Sequence, residues 1–132
     1  MNDIFTAQHA CDTLMPELDA AVSANPDGVE PLLARANCYY RVGRYGWVRR
    51  DVDAVFGGRG VGDAVQAAIA DGASESAARD VVATGVVLRV FLAIDEGQSR
   101  QARRAYQEGH SYFGDTAAMA RAEVLVLSLI HI

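Results

Sequence analysis

The side chains best suited to acid–base or metal chemistry are scattered along this sequence. The three histidines are His9, His110 and His131, and none lies four residues from another side chain that would complete a metal site. His9 and Cys11 are two positions apart, and such positions point to different sides of a helix. A small helical enzyme would need a polar pocket in which His9 or His110 meets an acid. We therefore expect no enzyme, no metal and no cofactor.

Two other patterns also fall short of a catalytic or nucleotide-binding motif. The glycine-rich segment GGRGVG at residues 57–62 follows a predicted helix rather than a strand, and it lacks the Lys-Ser or Lys-Thr ending of a phosphate-binding loop. The acids Asp95, Glu96 and Glu108 could form a pair, but carboxylates near helix ends are usually solvated. Neither pattern changes the expectation that the chain is not an enzyme.

The cysteines and the apolar segments set expectations about the compartment. Cys11 and Cys38 are the only cysteines, and their spacing indicates neither a metal site nor a disulfide framework. We expect two buried free thiols in a reducing compartment, and therefore a cytoplasmic protein. The first ten residues include Asp3 and no basic segment, which is not typical of a signal peptide. The longest apolar runs, 81–94 and 124–132, are shorter than the ~20 residues of a membrane span, so no membrane partner is expected.

Charge points away from nucleic acid and towards one local basic cluster. The formal net charge is −5, so non-specific nucleic-acid binding is not expected. All 12 basic residues are arginines. A basic-aromatic cluster lies in the first half of the chain and consists of Arg41, Arg44, Arg49, Arg50 and Arg59, with Tyr45 and Trp47 among them. It would suit an acidic peptide or a phosphate, or it is a solvated face on which arginine stems cover aromatic rings.

The stretch 29–56 predicts two short amphipathic helices joined at Gly43, where a left-handed conformation can end the first helix. Asp27 and Glu30 resemble an acidic capping box at its start. Apolar side chains recur every three or four residues in both helices: Leu32, Leu33, Ala36, Tyr39 and Tyr40, then Trp47, Val48, Val52, Val55 and Phe56. Arg35 and Asp51 would lie on facing helices and form a partly buried ion pair.

This hairpin resembles one tetratricopeptide repeat, whose period is about 34 residues. In the first helix, the Trp, Leu, Gly and Tyr positions of the repeat would be filled by Leu32, Arg35, Ala36 and Tyr39. The turn would contain Gly43 and Tyr45. In the second helix, the Ala and Phe positions would be filled by Val48 and Val52. Pro26 resembles the proline that closes a preceding repeat. The segment RANCYYRVGRY, with Asp51 after it, is similar to repeats of co-chaperones. Three departures are the size of Val48, the charge of Arg35, and Gly60 in place of a closing proline; a generic helical hairpin is the alternative.

The resemblance implies a groove lined by the first helix of each pair, which binds an extended peptide or a partner surface. The groove-facing positions would be Glu30, Leu33, Asn37, Tyr40 and Arg41, and Arg44 joins them as a partner-binding residue. Asn37 could pair with a peptide backbone and Arg41 with a carboxylate, unless both are merely solvated. Co-chaperone repeats hold a terminal carboxylate with Lys, Asn and Arg. Here Ala34 replaces the Asn and lysine is missing, which argues against that ligand.

The remainder predicts further helices at 63–70, 76–95, 99–113 and 117–129, and a helical segment at 3–24 that Pro16 would make either two helices or one kinked helix. Aligning Gly97 on Gly43 gives a weak internal echo with a shift of 54, which places Arg89 on Arg35 and Val86 on Leu32. Residues 57–73 would be a glycine-rich insertion or a degenerate repeat helix. We therefore expect a single all-α domain over residues 1–132, built from six or seven helices in consecutive antiparallel pairs as a fragment of a tetratricopeptide-like α-solenoid.

The expected function is a non-catalytic protein–protein interaction scaffold. The alternative is a structural solenoid segment that docks on neighbouring repeats of a larger protein. The chain ends inside its most hydrophobic run, and SLIHI at residues 128–132 resembles translated adapter sequence, so we expect a truncated or artificial C-terminus, unless a buried terminal helix is genuine.

Overall fold

The computed structural model describes the backbone of residues 3–131 and the side chains of residues 10–129. This part of the chain contains α-helices, one short 3₁₀ helix and no strands, which confirms the all-α fold class. The helices are α1 (Asp3–Ala24), α2 (Val29–Arg41), α3 (Tyr45–Phe56), α4 (Val61–Ala70), α5 (Glu75–Asp95), α6 (Ser99–Phe113) and α7 (Ala117–Leu127), followed by a 3₁₀ turn at Ser128–His131. Within the described residues, no helix is both long enough and apolar enough to cross a membrane.

Contacts between side chains define how α2 and α3 pack. Tyr39 near the end of α2 meets Trp47 at the start of α3, with ring centroids 5.0 Å apart. Arg35, one turn earlier in α2, reaches Asp51, one turn later in α3. Because the contacts move backwards along one helix and forwards along the other, α2 and α3 are antiparallel.

The second half repeats this arrangement and extends it by one helix. Arg89 of α5 donates to Glu108 of α6 at 3.1 Å, and the hydroxyl of Tyr106 donates to Glu123 of α7 at 3.0 Å. The helices α5 and α6 form the second antiparallel pair, and α7 turns back along α6. In consequence α5 and α7 run in the same direction. The helix α2 runs in this direction too, because Gly85 lies near Leu33 and Phe91, further along α5, lies near Tyr40, further along α2.

The internal echo is visible in the turns and in the core. The N–H groups of Gly43 and Arg44 donate to the carbonyls of Tyr40 and Tyr39. Shifted by 54 residues, the N–H groups of 97 and 98 donate in the same way to the carbonyls of 94 and 93. Gly43 and Gly97 both have positive φ values, 81° and 73°. The aligned core positions are all buried: Leu32 with Val86, Ala36 with Val90, and Val48 with Ala102.

The helix α5 is central because it is buried along most of its length and packs against α2, α3, α4, α6 and α7. It comes closest to the first hairpin at Gly85. A Cβ atom built there would lie 2.9 Å from Leu33 Cδ1 and 3.0 Å from Phe56 Cε2. The absence of a side chain at Gly85 thus lets α5 lie against both helices of the pair.

The insertion between the two hairpins is ordered as α4, which begins at Val61, two residues before the predicted start. The N–H of Val61 donates to the carboxylate of Glu108 at 3.1 Å, and Asn25 donates to Asp71 at 3.2 Å. These contacts place α4 between the C-terminal half of α6 and the start of α2. The glycine-rich segment is therefore a packed helix, and not an unstructured loop.

Of the two alternatives for the first segment, two helices or one kinked helix, the structure has one helix, since α1 continues through Pro16. Two other local expectations were wrong. Asp27 does not cap α2, because the N-cap is Gly28, whose N–H donates to the Asn25 carbonyl in a turn. Leu33 does not face a groove but is fully buried, because that side of α2 is covered by α5.

The expectation of two free thiols was also wrong. Cys11 and Cys38 form a disulfide, with Cα atoms 5.5 Å apart. The helix α1 packs along α2 in the antiparallel direction and brings Cys11 beside Cys38, and both side chains are buried. The bond closes a sequence separation of 27 residues and ties α1 to the first hairpin.

The predicted ion pair across the hairpin is confirmed. Arg35 donates through Nε and Nη2 to the two carboxylate oxygens of Asp51, each at 2.8 Å. Asp51 is 1% exposed, so this pair is almost wholly removed from water. The third donor, Nη1, reaches Asp19 of α1 at 3.0 Å. The hydrogen bonds to Asp51 raise the pKa of the Arg35 guanidinium, which keeps it charged in the folded state.

Replacing Gly85 tests the close approach of α5 to the first hairpin. Gly85→Ala is expected to lower the free energy of unfolding by about 1–3 kcal/mol, because the new methyl group overlaps Leu33 and Phe56. Gly46→Ala is the control, since a Cβ there meets nothing within 4 Å. In urea denaturation it should be neutral or stabilising by up to about 1 kcal/mol. Equal effects of the two substitutions would contradict the packing.

The ion pair gives a second prediction. Arg35→Leu should cost about 3–5 kcal/mol, because it leaves the Asp51 carboxylate buried without its partner. Adding Asp51→Leu should recover much of this loss. Asp19→Ala removes only the exposed partner and should cost less than about 1 kcal/mol. If the double variant is as unstable as Arg35→Leu in urea denaturation, the loss has another cause.

Reduction of the disulfide should lower the free energy of unfolding by roughly 3–4 kcal/mol, as expected for a loop of this length in the chain-entropy description. Urea denaturation with and without reductant measures the difference, and Cys11→Ser/Cys38→Ser should show no response to reductant. Thiol titration of the unfolded, unreduced chain should find no free thiol; recovery of both thiols would support the original expectation instead.

Candidate interaction surface

Aromatic side chains meet at the end of the first hairpin, where α2 ends, α3 begins and α5 passes beside both. Phe91 of α5 lies 4.9 Å from Tyr40 and 4.8 Å from Tyr45, measured between ring centroids. Tyr40 and Tyr45 are 6.1 Å apart. Burial, and to a lesser extent the neighbouring Tyr45, raises the pKa of Tyr40, so its hydroxyl remains a neutral hydrogen-bond donor. The three rings fix the position of the turn against α5.

Next to these rings is a surface that we call the arginine–aromatic patch, formed by Arg41, Arg44, Tyr45, Trp47 and Arg50. Tyr45 is 38% and Trp47 46% exposed, although both are large apolar side chains. The guanidinium carbons of Arg44 and Arg50 lie 5.3 and 5.8 Å from the Trp47 ring centroid. A shallow, open depression of about 260 Å³ lies between Arg44 and Trp47. The patch thus presents flat aromatic surface flanked by cations.

The charges of the patch are only partly compensated. Arg50 is 3.5 Å from Asp51, whose carboxylate is already bound by Arg35. The neighbouring Arg49 lies outside the patch and pairs with Asp53 and Glu96. In the part of the chain whose side chains are described, no carboxylate pairs with Arg41 or Arg44. These two cations are available to an external anion.

The partner-binding residues predicted from the sequence follow α2 from one end to the other. Glu30 is exposed in the first turn, Asn37 is partly exposed, and Arg41 is exposed in the last turn. The side-chain amide of Asn37 makes no hydrogen bond to another described group. Eleven residues separate Glu30 from Arg41, which is about 16 Å along a helix. Tyr40 and Arg44 lie at the Arg41 end, so three of the five predicted residues lie at one end of α2, Asn37 lies one turn before Arg41, and Glu30 lies at the opposite end.

Sequence reasoning left Phe91, Tyr45 and Trp47 out of the predicted binding set. The echo contains a signal for Phe91, because it occupies the position in α5 that corresponds to Asn37 in α2. Tyr45 was assigned to the turn and Trp47 to the apolar side of the second helix, and both were also placed in the basic-aromatic cluster. Their exposure could not be derived from helical spacing, since both lie in the first turn of α3, where the neighbouring α2 and α5 determine what is covered.

The remaining candidates for acid–base or metal chemistry do not converge on a pocket. His110 Nε2 lies 2.8 Å from an Asp115 oxygen, and the ring stacks on Tyr106, at the surface. Among the residues that the structure describes, no three His, Cys, Asp or Glu side chains are placed to hold a metal ion. The side chains of His9 and His131 lie outside the described residues, so the expectations for them stay predictions.

Comparisons of the chain with models of protein families, with curated protein sequences and with solved structures found no match.

Proposed function

We propose that this chain is a protein-interaction module that binds an extended acidic segment of a partner at the arginine–aromatic patch. The observation that supports this most directly is the combination of Arg44, without a carboxylate partner among the described residues, and the half-exposed ring of Trp47 beneath it. Tryptophan, tyrosine and arginine are the residue types that contribute most to binding at protein interfaces. A surface containing all three is well suited to a peptide that offers carboxylates and apolar side chains.

The exposed side of α2 carries polar groups that would bind an extended ligand. Asn37 and Arg41 are one turn apart and lie on the same side of the helix. The Asn37 amide can both donate to and accept from a peptide backbone, and the Arg41 guanidinium can bind a carboxylate in a bidentate manner. A segment that runs from Arg44 past Arg41 towards Asn37 would use each of these groups. If it continued to Glu30, that carboxylate would favour a basic residue there.

The helices α2, α5 and α7 run in the same direction, and each is connected along the chain to an antiparallel neighbour. A tetratricopeptide-like array would need this arrangement. We propose this relationship on the repeated turn geometry and the matching buried positions. A second function, a structural segment that docks on a further helical unit, is favoured by the exposed apolar side chains of α7. The two functions use different surfaces and can coexist.

The proposed compartment depends on the cysteines. A cytoplasmic location stays a prediction, and the disulfide argues against it, because reducing conditions keep most cytosolic thiols free. A chain that binds its partner only in the oxidised form would act in an oxidising compartment.

Trp47 gives a direct test, because it is the only tryptophan in the chain and lies within the patch. A library of extended peptides about six residues long, each spanning about 20 Å, would vary the number of Asp and Glu residues. Acidic members should change the Trp47 emission and bind more weakly as salt is added, because exposed charges are screened. Arg44→Ala should weaken binding about tenfold, as expected for one lost charge-assisted hydrogen bond.

Arg104→Ala is the matched control. Arg104 is an exposed arginine outside the patch, and it occupies the position in the second hairpin that Arg50 occupies in the first. It should leave the affinity unchanged, and both variants should retain the unfolding midpoint of the parent chain. The proposal is wrong if no peptide changes the Trp47 emission, or if the two arginine substitutions weaken binding equally.

A further inference from the structure

The helix α7 occupies the place of a first helix in a third pair. It runs in the direction of α2 and α5, and it packs against both helices of the second pair. The 54-residue shift between the two hairpins aligns residue 29, where α2 begins, with residue 83. Residue 117, where α7 begins, lies a further 34 residues along the chain. This is the period of a helix-pair repeat.

Packing contacts support the same alignment. Gly85 of α5 lies against Phe56, on the second helix of the preceding pair. Met119, 34 residues later, lies against Gly109, again on the second helix of the preceding pair: a Cβ built at Gly109 would be 3.0 Å from Met119 Sδ. Residues that share a place in the alignment therefore share a place in the packing.

One side of α7 lacks the helix that covers the same side of α2 and α5. In α2 this side contains Ala36 and Tyr39, and Tyr39 packs on Trp47 of α3. The corresponding residues of α5, at positions 90 and 93, are buried as well. In α7 the corresponding residues are Val124 and Leu127, which are 67% and 47% exposed. Within the described residues, only a 3₁₀ turn follows α7, so no second helix covers them.

We propose that α7 of a second copy of this chain covers this side, so that the chain forms a twofold-symmetric dimer. The second helix of each pair runs antiparallel to the first, and a twofold axis perpendicular to α7 places the two α7 helices antiparallel to each other. An axis close to Val124 therefore brings the second α7 into the orientation that α3 and α6 have in their own pairs.

The side chains of α7 also suit the role of a covering helix. The stripes by which α3 and α6 pack consist of small or branched apolar residues three or four positions apart: Val48, Val52 and Val55, and Ala102, Ala105 and Gly109. The bare side of α7 has the same composition and spacing at Ala117, Ala120, Val124 and Leu127. One helix face can therefore serve as both the covered and the covering surface, as a twofold interface requires. Three turns of helix bury less area than a standard interface, so the dimer should dissociate on dilution.

Analytical ultracentrifugation of the full chain across the micromolar range tests this. The parent chain should pass from monomer to dimer as its concentration rises. Val124→Glu should weaken self-association by more than about tenfold, because it places a charge in the apolar contact. Leu14→Glu is the control, since Leu14 on α1 is also 47% exposed and lies outside the interface; its self-association should equal that of the parent.

A cross-linking experiment tests the symmetry. Val124→Cys should form a covalent dimer under mild oxidation, because the axis brings the two copies of residue 124 together, whereas Leu14→Cys should not. A parent chain that stays monomeric at every concentration overturns the proposal, and so does a dimer that persists in Val124→Glu. Peptide binding at the patch should survive Val124→Glu, so failure of the dimer and failure of the proposed function can be told apart.

Discussion

Most of the helices pack around α5, which makes a close contact with the first hairpin at Gly85. Leu33 of α2 and Phe56 of α3 both reach the space that a side chain at this residue would occupy. The helix α5 is thereby held against both helices at once, and its remaining sides are covered by α4, α6 and α7. Because α2 and α5 run in the same direction from this contact, Phe91 arrives beside Tyr40 and Tyr45 at the far end. The surface next to Trp47 thus depends on packing about two helical turns away.

Buried and half-buried charges select the alignment of the helices within each pair. Arg35 binds Asp51 in the first pair, and Arg89, at the corresponding position, binds Glu108 in the second. A shift of either pair by one turn would leave Asp51 or Arg89 without its partner, which is costly for Asp51 because it is buried. Glu108 also accepts the N–H of Val61, so the same carboxylate attaches the inserted α4 to the second pair.

Much of the fold could be predicted from local pattern, and the errors that concern packing have a common cause. Apolar spacing and the glycines at 43 and 97 predicted the helices and the turns, because both signals depend on neighbours in sequence. The disulfide, the burial of Leu33 and the place of Phe91 depend on helices far apart in sequence. No spacing rule indicates that α1 brings Cys11 to Cys38, or that α5 covers one side of α2. For the candidate surface, sequence therefore predicted the residues of one hairpin and missed the contribution of α5.

The internal repetition separates residues that the fold requires from residues that it does not. The second hairpin makes the same turn as the first, with the same hydrogen bonds, yet the residues of its turn that correspond to the patch are different. Positions 41, 44, 45 and 47 of the first hairpin are Arg, Arg, Tyr and Trp, whereas the corresponding positions 95, 98, 99 and 101 are Asp, Gln, Ser and Gln. The core positions keep their apolar character between the two pairs, but the exposed aromatics and the cations at positions 41 and 44 occur in only one; among the residues of the patch, only Arg50 has an arginine, Arg104, at the corresponding position. Since the second turn forms without them, the hydrogen bonds of the turn do not require these residues. Exposed tryptophan is also unfavourable in water, and the proposed recognition of a partner would account for both facts.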